Sequence, residues 1–209
     1  MKKKEANQTH PYHHGDLRRA LVEAAVTLMT DEQNWNFSLR EVARKAGVSH
    51  NAPYNHFADK QELLAEVAAV GFAELRERMQ GSARAVENPK TALIKAGVAY
   101  VDFGLENPAR YRLMFGSVLR SPKDGGPTNI AFAAAGAGTV LGEIFERGAQ
   151  TGAFPASVRK KENMQLRVLA AWSAVHGLTQ LVLDGLPGAP KIPNLAEKVA
   201  RVVCEGLVS

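Results

Sequence analysis

At 209 residues the chain is long enough for one or two domains with a real core. Its 45% apolar and 22% charged residues are ordinary for a globular protein and exclude a disordered or fibrous chain. A formal charge of +5 permits a polyanionic partner without demanding one, and a single cysteine, Cys204, excludes an internal disulfide framework and a cysteine-based zinc site.

The first residues, MKKKEANQTHPYHH, are basic but lead into no apolar stretch. They do not read as a signal peptide, and a cytoplasmic protein with no membrane attachment is expected. Lys2–Lys4 with His13 and His14 read either as an arm along a phosphate backbone or minor groove, or as a solvated tail. His10, His13, His14 and Asp16 have metal-ligand chemistry, but a terminus with no other ligand in sight argues against a metal site, and no cofactor is expected.

Helical periodicity follows almost everywhere. Leu17, Leu21, Ala24, Ala25, Leu28 and Met29 step by three and four along a first helix. Ser38-Leu-Arg-Glu41 is a capping box, flanked by Phe37 and Val42 at the positions of a hydrophobic staple. Asp59-Lys-Gln-Glu62 repeats the box before a long helix striped by Leu64, Val67, Ala68, Phe72, Leu75 and Met79. Asn88-Pro89 and Asn107-Pro108 each set an N-cap before a proline, and Leu93, Ala96, Tyr100 and Phe103 mark the helix between them. Ile130, Ala134, Ala137, Leu141, Ile144 and Phe145 mark another. Asn194-Leu-Ala-Glu197 opens a last helix that Gly206 is expected to close.

Residues 125–142 and 168–183 carry no Asp, Glu, Lys or Arg, and they read as buried helices, since the second falls short of the ~18–20 apolar residues of a membrane span. The pattern predicts an all-α fold. Breaks rich in Gly and Pro fall near 81–89, 116–128, 152–157 and 185–193, the first of them the expected boundary between an N-terminal module and a larger helical body.

The stretch FSLREVARKAGVSHNAPYNHFADKQEL, residues 37–63, carries the functional signal. A short capped helix ends at Gly47, where a positive φ comes without steric cost. A second short helix, capped by Ser49 and ending near Phe57, is expected after it. Small Ala43 suits a close crossing, with Leu39, Val42 and Val48 pointing inward. Such a pair held by a first helix is a helix-turn-helix. Its second helix is crowded with His50, Asn51, Tyr54, Asn55 and His56, where a plain surface helix would carry Glu and Lys. Asparagine pairs bidentately with adenine edges, and Tyr and His reach phosphate oxygens on short stems. Charge adds little, because residues 1–60 hold nine Lys or Arg and seven Asp or Glu, a net of two.

The arrangement Ser38…Ala43-x-x-x-Gly47-Val48-Ser49…Tyr54-x-His56-Phe57-x-x-Lys60-x-x-Leu63 resembles the DNA-binding module of the TetR family of bacterial transcriptional regulators, over roughly residues 15–75. The resemblance implies an N-terminal three-helix helix-turn-helix domain (1–60), a connecting helix (61–84) and a C-terminal helical bundle for effector binding and dimerisation (85–209). By position, Ser38 and Arg40 are expected at the DNA backbone. Ser49, His50, Asn51 and Asn55 are expected at base edges, and Tyr54, His56 and Lys60 at phosphates. Pro53 departs from the pattern. Proline suits only a helix's first turn, so the recognition helix should begin a residue or two after the point Ser49 indicates.

In the body, Trp172-Ser-Ala-Val-His176-Gly177-Leu178 resembles the Trp…His-Gly signature of a subgroup of these proteins. Trp172 and His176 share a helix face and read either as the wall of an effector cavity or as a buried tryptophan packed on a histidine satisfied by a backbone carbonyl. Tyr100, Phe103, Tyr111, Phe115 and Phe132 are further candidates to line such a cavity, alongside ordinary core roles. The uncharged segments favour a neutral or weakly polar effector. Helices at about 158–184 and 194–206 resemble the family's dimer-forming pair. Gly136-Ala-Gly138 with Gly142 imitates a dinucleotide turn but lacks the strand that chemistry needs. The sequence thus points to a homodimeric, ligand-responsive repressor on palindromic double-stranded DNA, not an enzyme. The other reading is a helical small-molecule binder or enzyme with a vestigial DNA module.

Overall fold

The computed structural model describes residues 14–116, 119, 129–185, 187 and 192–208. Eight α-helices run along the chain: α1 (His14–Glu32), α2 (Leu39–Lys45), α3 (Lys60–Arg84), α4 (Pro89–Glu106), α5 (Pro108–Phe115), α6 (Asn129–Gln150), α7 (Lys161–Leu183) and α8 (Leu195–Leu207). Short 3₁₀ turns stand at Ala52–Asn55 and Ala156–Arg159, and there is no strand among the described residues. Two compact units divide between Leu63 and Leu64. The break at 81–89 is therefore a turn inside the second unit. Ala68, Phe72, Leu75, Met79 and Ala83 belong to that unit's core, and burying them outweighs the turn-forming residues as a boundary signal.

In the first unit Leu21, Ala25, Met29, Phe37, Val42, Phe57 and Leu63 are buried, which is the core the apolar stripes predict. The capping box of α2 forms in full. Ser38 Oγ accepts from the Glu41 amide at 3.3 Å and Glu41 Oε2 accepts from the Ser38 amide at 2.7 Å. At α3 the box is shifted, since Asp59 accepts from the Glu62 amide but Glu62 accepts from Ala58. Arg18 Nη1 donates to the His56 carbonyl at 2.9 Å and its guanidinium lies 4.6 Å above the Phe57 ring, tying α1 to the end of the first 3₁₀ turn.

In the second unit α4 packs on α6, α7 and α8. Gly104 is where α4 and α7 meet most tightly, because a Cβ there would overlap the Thr179 methyl group. A charge network joins α3, α4 and α5. Glu74 binds both Arg78 (2.8 Å) and the buried Arg110 (2.7 Å), Arg78 also binds Glu106, and the two guanidinium groups lie 5.5 and 5.1 Å from the Phe103 ring centroid.

Three cap expectations change. Asn88 caps α4 as predicted, accepting from Lys90 and Thr91, but Asn107 does not cap α5. With α4 ending directly at α5, Asn107 donates back to the Phe103 carbonyl and accepts from Arg110 instead. Asn194 takes a left-handed φ of 56° and makes no side-chain cap bond. Helix α8 continues past Gly206 to Leu207. Gly136, Gly138 and Gly142 all lie within α6, so no glycine turn of the dinucleotide kind exists there. Among the described residues α7 is the one helix long and apolar enough to span a membrane, yet Ala171, Val175, Leu178 and Thr179 build it into the core. Lys2–Lys4, His10 and His13, the side chains of His14, Asp16, Ile130, Phe132 and Ala134, and most of the 116–128 and 185–193 breaks lie outside the described residues.

Candidate nucleic-acid interface and ligand cluster

Helix α2 stops because Gly47 adopts φ +69°. The Gly47 amide then donates to the Arg44 carbonyl at 3.2 Å and the Val48 amide to Ala43 at 3.0 Å, the two bonds of a Schellman end. The chain turns through Val48–Asn51 into the 3₁₀ turn Ala52–Asn55. Ser49 does not cap it with its side chain; its carbonyl accepts from Ala52 at 3.0 Å, and Asn51 holds the cap position without a side-chain cap bond. Pro53 stands in the first turn, buried, where its missing amide leaves no bond unmade. Its carbonyl accepts from both His56 (3.0 Å) and Phe57 (2.9 Å). The recognition element starts at Ala52, later than Ser49, for the reason the proline gives.

In a 3₁₀ turn side chains three apart eclipse, so Asn51 and Tyr54 form one row, with Asn55 beside it. Ser49, His50, Asn51 and Asn55 are exposed, and Tyr54 keeps 53% of its surface. Arg40 is exposed on α2. Ser38 is exposed too, but its hydroxyl sits 2.8 Å from Glu41 Oε2 within the cap. His56 is half-buried with its carbonyl held by Arg18. Lys60 is half-buried, its ammonium 5.3 Å from the Phe37 ring centroid. Burial lowers its pKa, and the Glu41 carboxylate works against that shift. All nine residues thus sit in one unit, five of them presenting side chains in and around the second element of the helix-turn-helix. Arg44, in the last turn of α2, is exposed as well, though in the sequence it looks like any surface cation.

The second unit brings Tyr100, Tyr111, Phe115, Trp172 and His176 together. Trp172 Nε1 donates to Tyr100 Oη at 3.1 Å. The two tyrosine hydroxyls are 3.2 Å apart, and Tyr111 Oη lies 2.7 Å from His176 Nδ1, with Tyr100 Oη at 3.0 Å from the same nitrogen. Both tyrosines and the tryptophan direct hydrogen bonds along this chain if Nδ1 accepts, which puts the imidazole proton on Nε2. Phe115 packs on the His176 ring at 4.6 Å between centroids. Burial lowers the His176 pKa and so keeps the ring neutral. It raises the Tyr100 pKa to about 12 and pushes that of Tyr111 higher still. Phe103 is not part of the cluster; its ring instead meets the Arg78 and Arg110 guanidinium groups. A cavity that Trp172 lines among the described residues is about 20 Å³, room for about one water and too small for an organic molecule. Among the described residues no three His, Cys, Asp or Glu side chains gather as metal ligands.

Comparison with known proteins gives both units relatives. Residues 21–67 match the family of bacterial regulatory proteins of the tetR type, and residues 93–203 match the tetracyclin repressor-like C-terminal domain. An uncharacterized HTH-type transcriptional regulator of Haemophilus influenzae is 32% identical over 98 residues, a stretch that spans 46% of this chain and about half (48%) of that relative. A protein of unknown function from Rhodococcus sp. RHA1 superposes with a TM-score of 0.78 at 26% identity, covering 96% of this chain and 100% of that one. The TetR family transcriptional regulator PfmR from Thermus thermophilus shares the fold with a TM-score of 0.59 at 24% identity, covering 90% and 96%. With its helix-turn-helix and more than half of its length matched in this way, the chain belongs to the TetR family.

Proposed function

We propose that the protein is a ligand-responsive transcriptional repressor of the cytoplasm, binding palindromic operator DNA as a homodimer through α7 and α8. The observation that carries this reading is the exposed row of Asn51, Tyr54 and Asn55 beside His50 and Ser49, with Asn51 making no side-chain cap bond. Asn51 and Asn55 present amides suited to adenine edges, while Ser38, Arg40, Tyr54, His56 and Lys60 position the backbone. In a dimer the two recognition elements would stand about 34 Å apart, one turn of the duplex. The effector, small and neutral or weakly polar, is held at the Tyr100–Tyr111–Trp172–His176 cluster against Phe115, where it would exchange hydrogen bonds with groups now bound to one another. Its differential affinity for the DNA-free state would drive release.

Gel retardation on the DNA upstream of the protein's own gene tests the reading. The wild-type chain is expected to retard a palindromic fragment, and Tyr54→Ala or Asn55→Ala to weaken it by about 1–3 kcal/mol each. Absence of retardation of every palindromic fragment at low salt rejects the proposal.

A further inference from the structure

A cleft of about 480 Å³ opens in the second unit where α4, α7 and the start of α8 meet. Val98, Val101 and Leu105 form its α4 wall, Leu178 and Val182 its α7 wall, and Leu195 closes it at α8. Leu105 and the neighbouring Ile192 are exposed, so aliphatic surface faces solvent here. Its size lies inside the range of roughly 300–1,000 Å³ found for small-molecule sites. None of the aromatic cluster residues lines it.

Two carboxylates, Asp102 and Glu197, are the only charged groups among the described residues of the wall. They differ in their partners. Glu197 is bound by Arg201 at 2.8 Å, and Glu106, one turn beyond Asp102, is bound by Arg78. Asp102 has neither an ion-pair nor a hydrogen-bond partner among the described residues. Asp102 is itself exposed, and the partial desolvation of its carboxylate raises its pKa, with the Glu106 carboxylate adding to the rise and Arg78 opposing it. A neutral apolar ligand would strip water from this charge and give nothing back, and an anion would be repelled by both carboxylates. A cation with an apolar body satisfies both parts of the wall.

We propose that this cleft is a second ligand site that takes an amphiphilic organic cation, its ammonium group on Asp102 and its alkyl or aryl body along α4 and α7. The site does not depend on the DNA-binding reading above, and its test does not involve DNA. Isothermal titration of the full chain compares three probes of equal length: n-octylammonium, 1-octanol and octanoate. Octylammonium is expected to bind with 1:1 stoichiometry per chain and about tenfold or more tighter than octanol, with octanoate weakest. Asp102→Asn should bring octylammonium down to the octanol level without changing the melting midpoint, and Ala196→Trp, which fills the cleft, should remove binding of all three. Equal affinities for the three probes, or an octylammonium affinity that Asp102→Asn leaves unchanged, overturns the proposal. So does a shift of Leu105→Glu from dimer to monomer in size-exclusion chromatography, which would make the cleft a contact between two copies.

Discussion

Gly47 adopts φ +69° with no atom within 4 Å of where a Cβ would stand, so alanine would meet no clash there and still pay for a left-handed backbone. Gly47→Ala is expected to lower stability by about 1 kcal/mol, seen as a lower urea midpoint. Ser38→Ala should cost about 1 kcal/mol by removing the cap of α2. The amide of Ser38, then its hydroxyl, holds the Glu41 carboxyl below its usual pKa. That contribution is complete above the usual carboxylate pKa and disappears as acidification passes the lowered one. Protonation neutralises Glu41 and charges His176, yet the dependence on pH has the same sign. Burial lowers its pKa below 6.5, so on acidification the unfolded chain takes up a proton that the folded chain refuses. Stability should therefore fall between about pH 7 and pH 5, and urea titrations of His176→Gln should show a flatter profile. A flat wild-type profile would contradict the buried neutral imidazole. The i, i+4 pairing of Trp172 with His176 is legible in the sequence. Their tyrosine partners, 65 to 76 residues away, are not, since no local spacing encodes such a contact.

Elements show the same split between local and distant terms. Most helices were readable because stripes, caps and prolines act within one or two turns: the stripe Leu64, Val67, Ala68, Phe72, Leu75, Met79 is buried throughout. The recognition element is shorter than the residues alone indicate. Pro53 and the Schellman end at Gly47 leave room for a 3₁₀ turn of four residues rather than a helix from Ser49 to Phe57. Asn107 failed as a cap because its neighbours α4 and Arg110 offered its amide better partners. The Glu74–Arg78 pair has helical i, i+4 spacing, but Arg110, which completes the network, comes from another helix. Glu74→Ala would leave the Arg110 charge buried without its carboxylate, and about 2–3 kcal/mol of stability should be lost in thermal or urea unfolding.

For the whole molecule the surface on which the proposed dimer rests is the outward row of α7. Leu166, Leu169 and Leu181 are each more than half exposed, as is Val202 on α8, and a Cβ at Gly177 would meet nothing within 4 Å. Gly177→Leu should leave the fold intact, with an unchanged circular dichroism spectrum, while light scattering shows monomer in place of dimer and retardation of palindromic DNA is lost. A Gly177→Leu protein that remains dimeric would overturn the proposed interface on α7. The sequence by itself determined the all-α class, the helix-turn-helix, its glycine turn and the capped starts of α2 and α4, because each rests on interactions within a few residues. Only the tertiary structure decided that the tyrosines and His176 bind one another, that Arg110 is neutralised by Glu74, and that Asp102 has no partner among the described residues beside an apolar cleft. Those outcomes depend on which helices come to lie side by side, and burial settles that over the whole chain rather than at any one position.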